Sequence, residues 1–161
     1  MTPSRRLWVL ETTNQALEAK HVHARMAACE AALESDYGTS ALARLGFNLF
    51  GMKQHTHPVY GTLPLPTREF LNGEWKQEIG QWVKYENLEE CFADRMATLM
   101  RLRSVYPHYQ AALTAPDPET YIAEVSKTWS TDPARAAKVL AIFNEVFPQD
   151  SSGDVHFTDA T

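Results

Sequence analysis

The feature that most constrains this chain is a change of period in its middle. Before residue 47 and after residue 86 the apolar residues recur at helical spacing; between them the spacing breaks, and prolines (58, 64, 66) and glycines (51, 61, 73, 80) accumulate. Inside that window lies Asn72-Gly73. An Asn-Gly pair favours a type I′ turn, because both positions need positive φ and the twist of such a turn matches that of two antiparallel strands. The flanks, residues 67–71 and 75–85, carry aromatic and β-branched side chains. A small β-hairpin set between two helical halves is therefore expected. At 161 residues the chain can bury a core as one unit. The expected fold class is α+β, mostly helical, with one hairpin lobe.

The helical halves can be divided further. A first helix is expected over 4–19, with Leu7, Trp8, Leu10 and Leu17 as its apolar side. A second, over 22–34, has a stripe of Val22, Met26, Cys29 and Leu33 among alanines that permit close packing. Ser35-Asp36-Tyr37-Gly38 stops it, with Gly38 as a left-handed residue. Thr39 or Ser40 caps a short helix through Leu45. Later helices are expected over 88–103, 105–114 and 117–127, the last opened by Asp117-Pro118. Thr131-Asp132-Pro133 opens a final one, whose buried stripe is Ala136, Val139, Leu140, Phe143, Val146 and Phe147. The polar, aperiodic residues 148–161 are expected to form a frayed tail, leaving 1–147 as the domain.

Composition excludes several function classes. Fifteen Lys and Arg against 20 Asp and Glu give a net charge of −5, without the basic stripe of a nucleic-acid binder. No stretch of 18 apolar residues spans a membrane. The apolar run after Arg5-Arg6 ends at Glu11, too short for a secretory signal. Cys29 and Cys91 lie 62 residues apart without a Cys-x-x-Cys motif and read as buried thiols. His21 and His23, and His55 and His57, form two His-x-His pairs, but without partner cysteines or a His-Glu-x-x-His motif they do not specify a metal site. No metal and no cofactor are expected.

The segment that carries chemistry is Ala31-Ala32-Leu33-Glu34-Ser35. Glu34 falls at the last turn of the alanine-rich helix, beside its apolar stripe. Partial burial, the negative end of the helix dipole and nearby Asp36 all disfavour its ionisation, and a carboxyl that keeps its proton near neutral pH is what a general acid needs. On spacing alone, a glutamate at a helix end is most often a solvated charge.

Ala31-Ala32-Leu33-Glu34-Ser35 with Gly38, followed by Asn48-Leu49-Phe50-Gly51-Met52-Lys53, resembles the signature of glycoside hydrolase family 73, the glucosaminidases that hydrolyse peptidoglycan. Arg68-Glu69-Phe70-Leu71-Asn72-Gly73, Val83-Lys84-Tyr85, Pro107-His108-Tyr109 and Thr131-Asp132-Pro133 are similar to its later landmarks, so that the resemblance runs in order over about residues 12–147. It implies a lysozyme-like fold with a long cleft and cleavage of the β-1,4 bond after N-acetylglucosamine. It also implies that Glu34 is the general acid and Glu69, on the hairpin, the second carboxylate.

A pair of carboxyls suits this chemistry: one protonates the leaving oxygen, the other activates water or stabilises the oxocarbenium-like charge, and the 2-acetamido group can replace the second. The chain departs from the family at Asp36-Tyr37, where Gly-Trp is usual, and at Trp129, where a tyrosine is usual. Tyr37 and Asp36 are candidate substrate contacts, and Trp129 a sugar platform. Phe50, Tyr60, Trp82, Tyr85 and Tyr109 are further aromatic candidates, whereas Asn48 and Phe50 are expected to fix the loop under the cleft. The implied partner is a peptidoglycan glycan strand, met by a monomer. The implied place of action is the bacterial wall, reached as a phage lysin or by non-classical export. Two other readings stay open: a lytic transglycosylase, against which the missing Gly-Leu-Met-Gln-type segment argues, and a non-catalytic glycan-binding or phage structural protein of the same fold.

Overall fold

Capping side chains set where the helices begin. Ser40 Oγ accepts from the Ala43 amide at 3.2 Å, Asn87 Oδ1 from Glu90 at 2.9 Å and Asp117 Oδ1 from Thr120 at 2.6 Å, each satisfying an amide that has no helical partner. The structure, a computed structural model, describes residues 1–148, so the expected tail lies almost wholly outside the described residues. Among these it has seven helices, α1 (Pro3–Glu18), α2 (Ala24–Ser35), α3 (Ala41–Gly46), α4 (Leu88–Leu102), α5 (Pro107–Leu113), α6 (Pro118–Trp129) and α7 (Arg135–Val146). A two-stranded antiparallel sheet, β1 (Gly61–Leu71) and β2 (Glu74–Lys84), separates α3 from α4.

Helix α2 is the axis of the molecule. Met26, Ala27, Ala28, Cys29, Glu30, Ala31 and Ala32 are all fully buried, so it is covered on every side rather than along one stripe. Its alanines let α1 and α7 pack closely on it. One core lies between α2, α4, α6 and α7 around Met26, Leu99, Ile122, Val125 and Val139; the other joins α2 to α4 and the hairpin base around Leu49, Phe50, Val83 and Phe92. Cys29 and Cys91 are free buried thiols. No described helix is long and apolar enough to cross a membrane.

Three local expectations are corrected. In α1 the buried residues are Val9, Thr12, Thr13 and Ala16, while Leu7, Leu10 and Leu17 are exposed. Close approach to an alanine-rich partner selects small residues, and Thr13 can be buried because its hydroxyl donates to Val9 O at 2.8 Å. Strand β1 starts at Gly61, not at 67, and runs through Pro64 and Pro66. In a two-stranded sheet each strand is an edge, and two prolines two residues apart both turn their missing N–H to the unpaired side. Helix α7 starts at Arg135; Asp132 instead holds a preceding turn by accepting from the Ala134 amide at 2.9 Å.

The hairpin turn is as expected: Asn72 and Gly73 have φ of 52° and 79°. Alternation gives the hairpin two faces. Leu63, Leu65, Thr67 and Glu69 turn toward the helices and are partly covered, while Pro64, Pro66, Arg68 and Phe70 face outward.

Candidate active site

The end of α2 is shaped by three consecutive left-handed residues, Asp36, Tyr37 and Gly38 (φ 48°, 54° and 78°). Ser35 ties this turn together, its hydroxyl donating to Ala31 O at 2.6 Å and accepting from the Gly38 amide at 2.9 Å. Gly38 is needed for a second reason: a Cβ there would stand 2.7 Å from the Trp8 indole nitrogen. The turn sends the chain away from the helix axis and leaves Glu34 on the last turn, at the edge of a groove.

That groove holds about 260 Å³ between α3 and the hairpin, and Glu34, Asn48, Leu65, Thr67 and Trp82 line it. Asn48 fixes its floor. The side-chain amide donates to Met52 O and Val83 O, both at 2.9 Å, and its carbonyl accepts from the Met52 amide at 2.9 Å. The loop is thereby pinned to β2, the structural part foreseen for Asn48. Phe50 is buried beneath it.

Under Glu34 lies a buried network of charges. Arg135 Nε donates to Glu34 Oε1 at 3.1 Å, and its Nη2 bonds the same oxygen. That Nη2 also donates to Glu30 Oε2 at 2.6 Å. Glu30 further accepts from Arg95 Nη1 and Nη2 at 3.2 and 2.8 Å and from the Tyr121 hydroxyl at 2.5 Å. Behind Arg95, His21 is buried and held neutral: burial and the Arg95 charge lower its pKa to about 4. Its Nδ1 stands 2.7 Å from Val22 O and its Nε2 3.4 Å from Arg95.

The two carboxyls of α2 are driven apart in acidity. For Glu30, burial alone would raise the pKa, but Arg95 and Arg135 outweigh it and hold the group at about 2. For Glu34 burial prevails: desolvation raises its pKa against the pull of Arg135, with the Glu30 charge adding to the rise. Similar residues one helical turn apart are thus shifted in opposite directions, Glu30 toward its ionised form and Glu34 toward its protonated form.

The sequence-derived candidates are placed unequally. Trp129 lies under Glu34, its Nε1 donating to Glu34 Oε2 at 3.4 Å, with one indole face covered by the Arg95 guanidinium 4.1 Å from the ring centroid. Glu69 sits one inward-facing position beyond Thr67 toward the hairpin tip, with Lys53 Nζ at 3.6 Å. Asp36 and Tyr37 do not line the groove: Asp36 meets Arg5 at 3.3 Å and accepts from Thr39, and Tyr37 stacks on Arg5 and meets Trp8 edge-on at 6.1 Å. The carboxylate that acts on Glu34 is therefore Glu30, not Asp36. Of the other aromatics, Trp82 lines the groove, Tyr85 is buried with its hydroxyl on Asp94 at 2.5 Å, and Tyr109 is buried. The histidine pairs separate, His23 bonding Ala115 O and His55 facing Asp94, and no group of metal-ligating residues forms among the described residues.

Glu30, Arg95, Tyr121 and Arg135 were not picked out from the sequence. A signal existed: Glu30 and Glu34 stand four apart on an alanine-rich helix, a like-charge spacing that requires a compensating cation if both are covered.

Comparison with known proteins agrees with this architecture. Residues 10–147 match the glucosaminidase family, described as mannosyl-glycoprotein endo-β-N-acetylglucosaminidase. The chain belongs to this family. It is 29% identical over 144 residues to the peptidoglycan hydrolase FlgJ of Pseudomonas aeruginosa, an alignment that covers 86% of this chain and 35% of that protein. It thus spans about a third of that relative's length. Two solved folds are alike. The catalytic domain of the autolysin Auto from Listeria monocytogenes superposes with a TM-score of 0.75 at 22% identity, covering 91% of this chain and 86% of that one. A C-terminally truncated glycoside hydrolase domain of FlgJ from Salmonella typhimurium gives 0.71 at 24% identity, covering 88% of this chain and 97% of that one. The lysozyme-like, mostly helical α+β fold is thereby confirmed.

Proposed function

We propose that this domain hydrolyses peptidoglycan as an endo-β-N-acetylglucosaminidase, cutting the β-1,4 bond after N-acetylglucosamine with Glu34 as general acid. The observation that carries the reading is that Glu34 opens into the groove between helices and hairpin while burial keeps its proton affinity high. Family membership and the peptidoglycan hydrolases among the relatives support the substrate class.

In this mechanism the glycan lies along the groove, against Trp82 and the inner face of β1. Glu34 gives its proton to the glycosidic oxygen as the C1–O bond breaks, and positive charge develops at C1 and the ring oxygen. Glu69 takes the proton of the water that attacks C1, or the 2-acetamido group supplies the nucleophile. The Trp129 indole positions Glu34 from below. Arg95 occupies one of its faces, so support of the acid is a better reading than a sugar platform.

Mass spectrometry of purified sacculi after digestion tests this. Fragments with reducing-end N-acetylglucosamine, absent with Glu34→Gln, are expected. Anhydro ends would indicate a transglycosylase instead, and an active Glu34→Gln enzyme would remove the assignment of the acid.

A further inference from the structure

Two carboxyls of α2 share one guanidinium. Arg135 Nη2 reaches Glu30 Oε2 at 2.6 Å from a wholly buried position and also bonds Glu34 at the groove edge, where the Glu34 side chain is 19% exposed. Arg135 is itself anchored, its Nη1 donating to Ser126 Oγ at 2.9 Å. Glu30 has further donors in Arg95 and Tyr121, so it stays ionised and paired whichever way Arg135 leans. Glu34 has fewer: Arg135 and the more distant Trp129 Nε1.

We propose that Arg135 is a positioning residue that aims the Glu34 carboxyl into the groove, and that Glu30, holding the same guanidinium from below, sets how readily Glu34 gives up and regains its proton. This rests on Glu34 being the general acid. Charge counting gives the direction. With Glu30 neutralised, two guanidiniums face Glu34 alone and favour its ionised form. With Arg135 neutralised, Arg95 still pairs with Glu30, and Glu34 loses its nearest cation. The groups facing Glu34 are Glu30 from α2, Arg95 from α4, Trp129 from the end of α6 and Arg135 from α7. The hairpin and loop residues lining the groove add no ionisable side chain besides Glu34.

The test is the pH dependence of cleavage of soluble glycan oligomers, with thermal melts to verify folding. Glu30→Gln should move the alkaline limb of kcat/KM down by about one pH unit or more, the scale of a removed neighbouring charge. Arg135→Gln should move it up by a similar amount, with a lower plateau. Arg135→Lys keeps the charge but not the fork, so the limb should stay in place while kcat falls about tenfold or more through misalignment. Shifts in one common direction, or none, overturn the proposal. If Glu30→Gln does not fold, the contrast between Arg135→Gln and Arg135→Lys decides alone. A carbon-13 titration of the Glu34 carboxyl in the same variants reads the coupling without turnover. Should Glu34→Gln prove active, the assignment of the acid fails, while this titration still judges the coupling.

Discussion

Behind the helical side of the groove and beyond its hairpin side stand residues of the same kind in opposite surroundings. In the helical network under Glu34, Glu30 and Arg95 have no exposed side-chain surface and Arg135 has 3%. At the hairpin, Glu69 of β1 and Lys53 of the loop that precedes it are 38% and 68% exposed, at 3.6 Å. Removing one partner of a buried pair leaves an uncompensated charge, whereas an exposed pair is screened by water and salt. The network can therefore tune a proton affinity, and the hairpin cannot do so strongly. What the hairpin offers is a partly covered carboxylate, Glu69, one inward-facing position beyond the groove-lining Thr67, and the role proposed for it depends on that position.

The contrast can be broken by experiment. The largest effect is expected at the network's edge. Glu34→Gln should lower the cleavage rate by about 10²–10⁴, the usual contribution of a general acid. Because the amide is isosteric and the site half-open, the melting temperature should move little; a rate within threefold of wild type would end the assignment.

Next comes the fully buried anion. Glu30→Ala should destabilise the fold by about 3–5 kcal/mol in urea unfolding, because Arg95 and Arg135 lose their shared partner. A cost below about 1 kcal/mol would place this network in the class of surface pairs. Glu69→Gln should do the reverse, slowing cleavage at least tenfold, as expected if it acts on water, while leaving stability unchanged. An unchanged rate would shift the second role to the acetamido group of the substrate.

The same contrast predicts a pH profile of stability. Glu30 has a folded pKa of about 2 against an ordinary 4.5. It stabilises above 4.5 and loses that contribution as pH falls toward 2. His21, held at about 4 against 6.5, acts with the same sign: its neutral form is the folded one, so stability falls between 6.5 and 4. Glu34, with its pKa raised, opposes them, contributing at low pH and losing that contribution as pH rises through its folded value. Melts from pH 7 to 3 should decline in two stages, and a flat profile would contradict the buried network. The smallest effect is expected at the hairpin tip. Gly73→Ala, with φ of +79° and open space around it, should cost about 1–2 kcal/mol from strain alone. Gly38→Ala should cost more, since strain is joined by collision with Trp8.

What could be read from the chain was local. Asn72-Gly73, Ser40 as a cap, Asp117-Pro118, and Leu-Glu-Ser at the end of an alanine-rich helix each act through neighbours within a few residues. The turn, the starts of α3 and α6 and the position of Glu34 followed from them, whereas the start of α7 did not. The extent of β1 was missed because prolines count against a strand unless its edge is known to be free. The buried side of α1 was missed because its partner's alanines, not its own leucines, choose the contact face.

The network under Glu34 belongs to the tertiary structure. Glu30 meets Arg95 across 65 residues and Arg135 across 105, distances at which no periodicity carries information. Whether a carboxyl is a proton donor or a fixed anion depends on which cations reach it and how much water is removed. Sequence spacing could put a glutamate at the end of α2; only the packing of α4, α6 and α7 around that helix made its two glutamates chemically different.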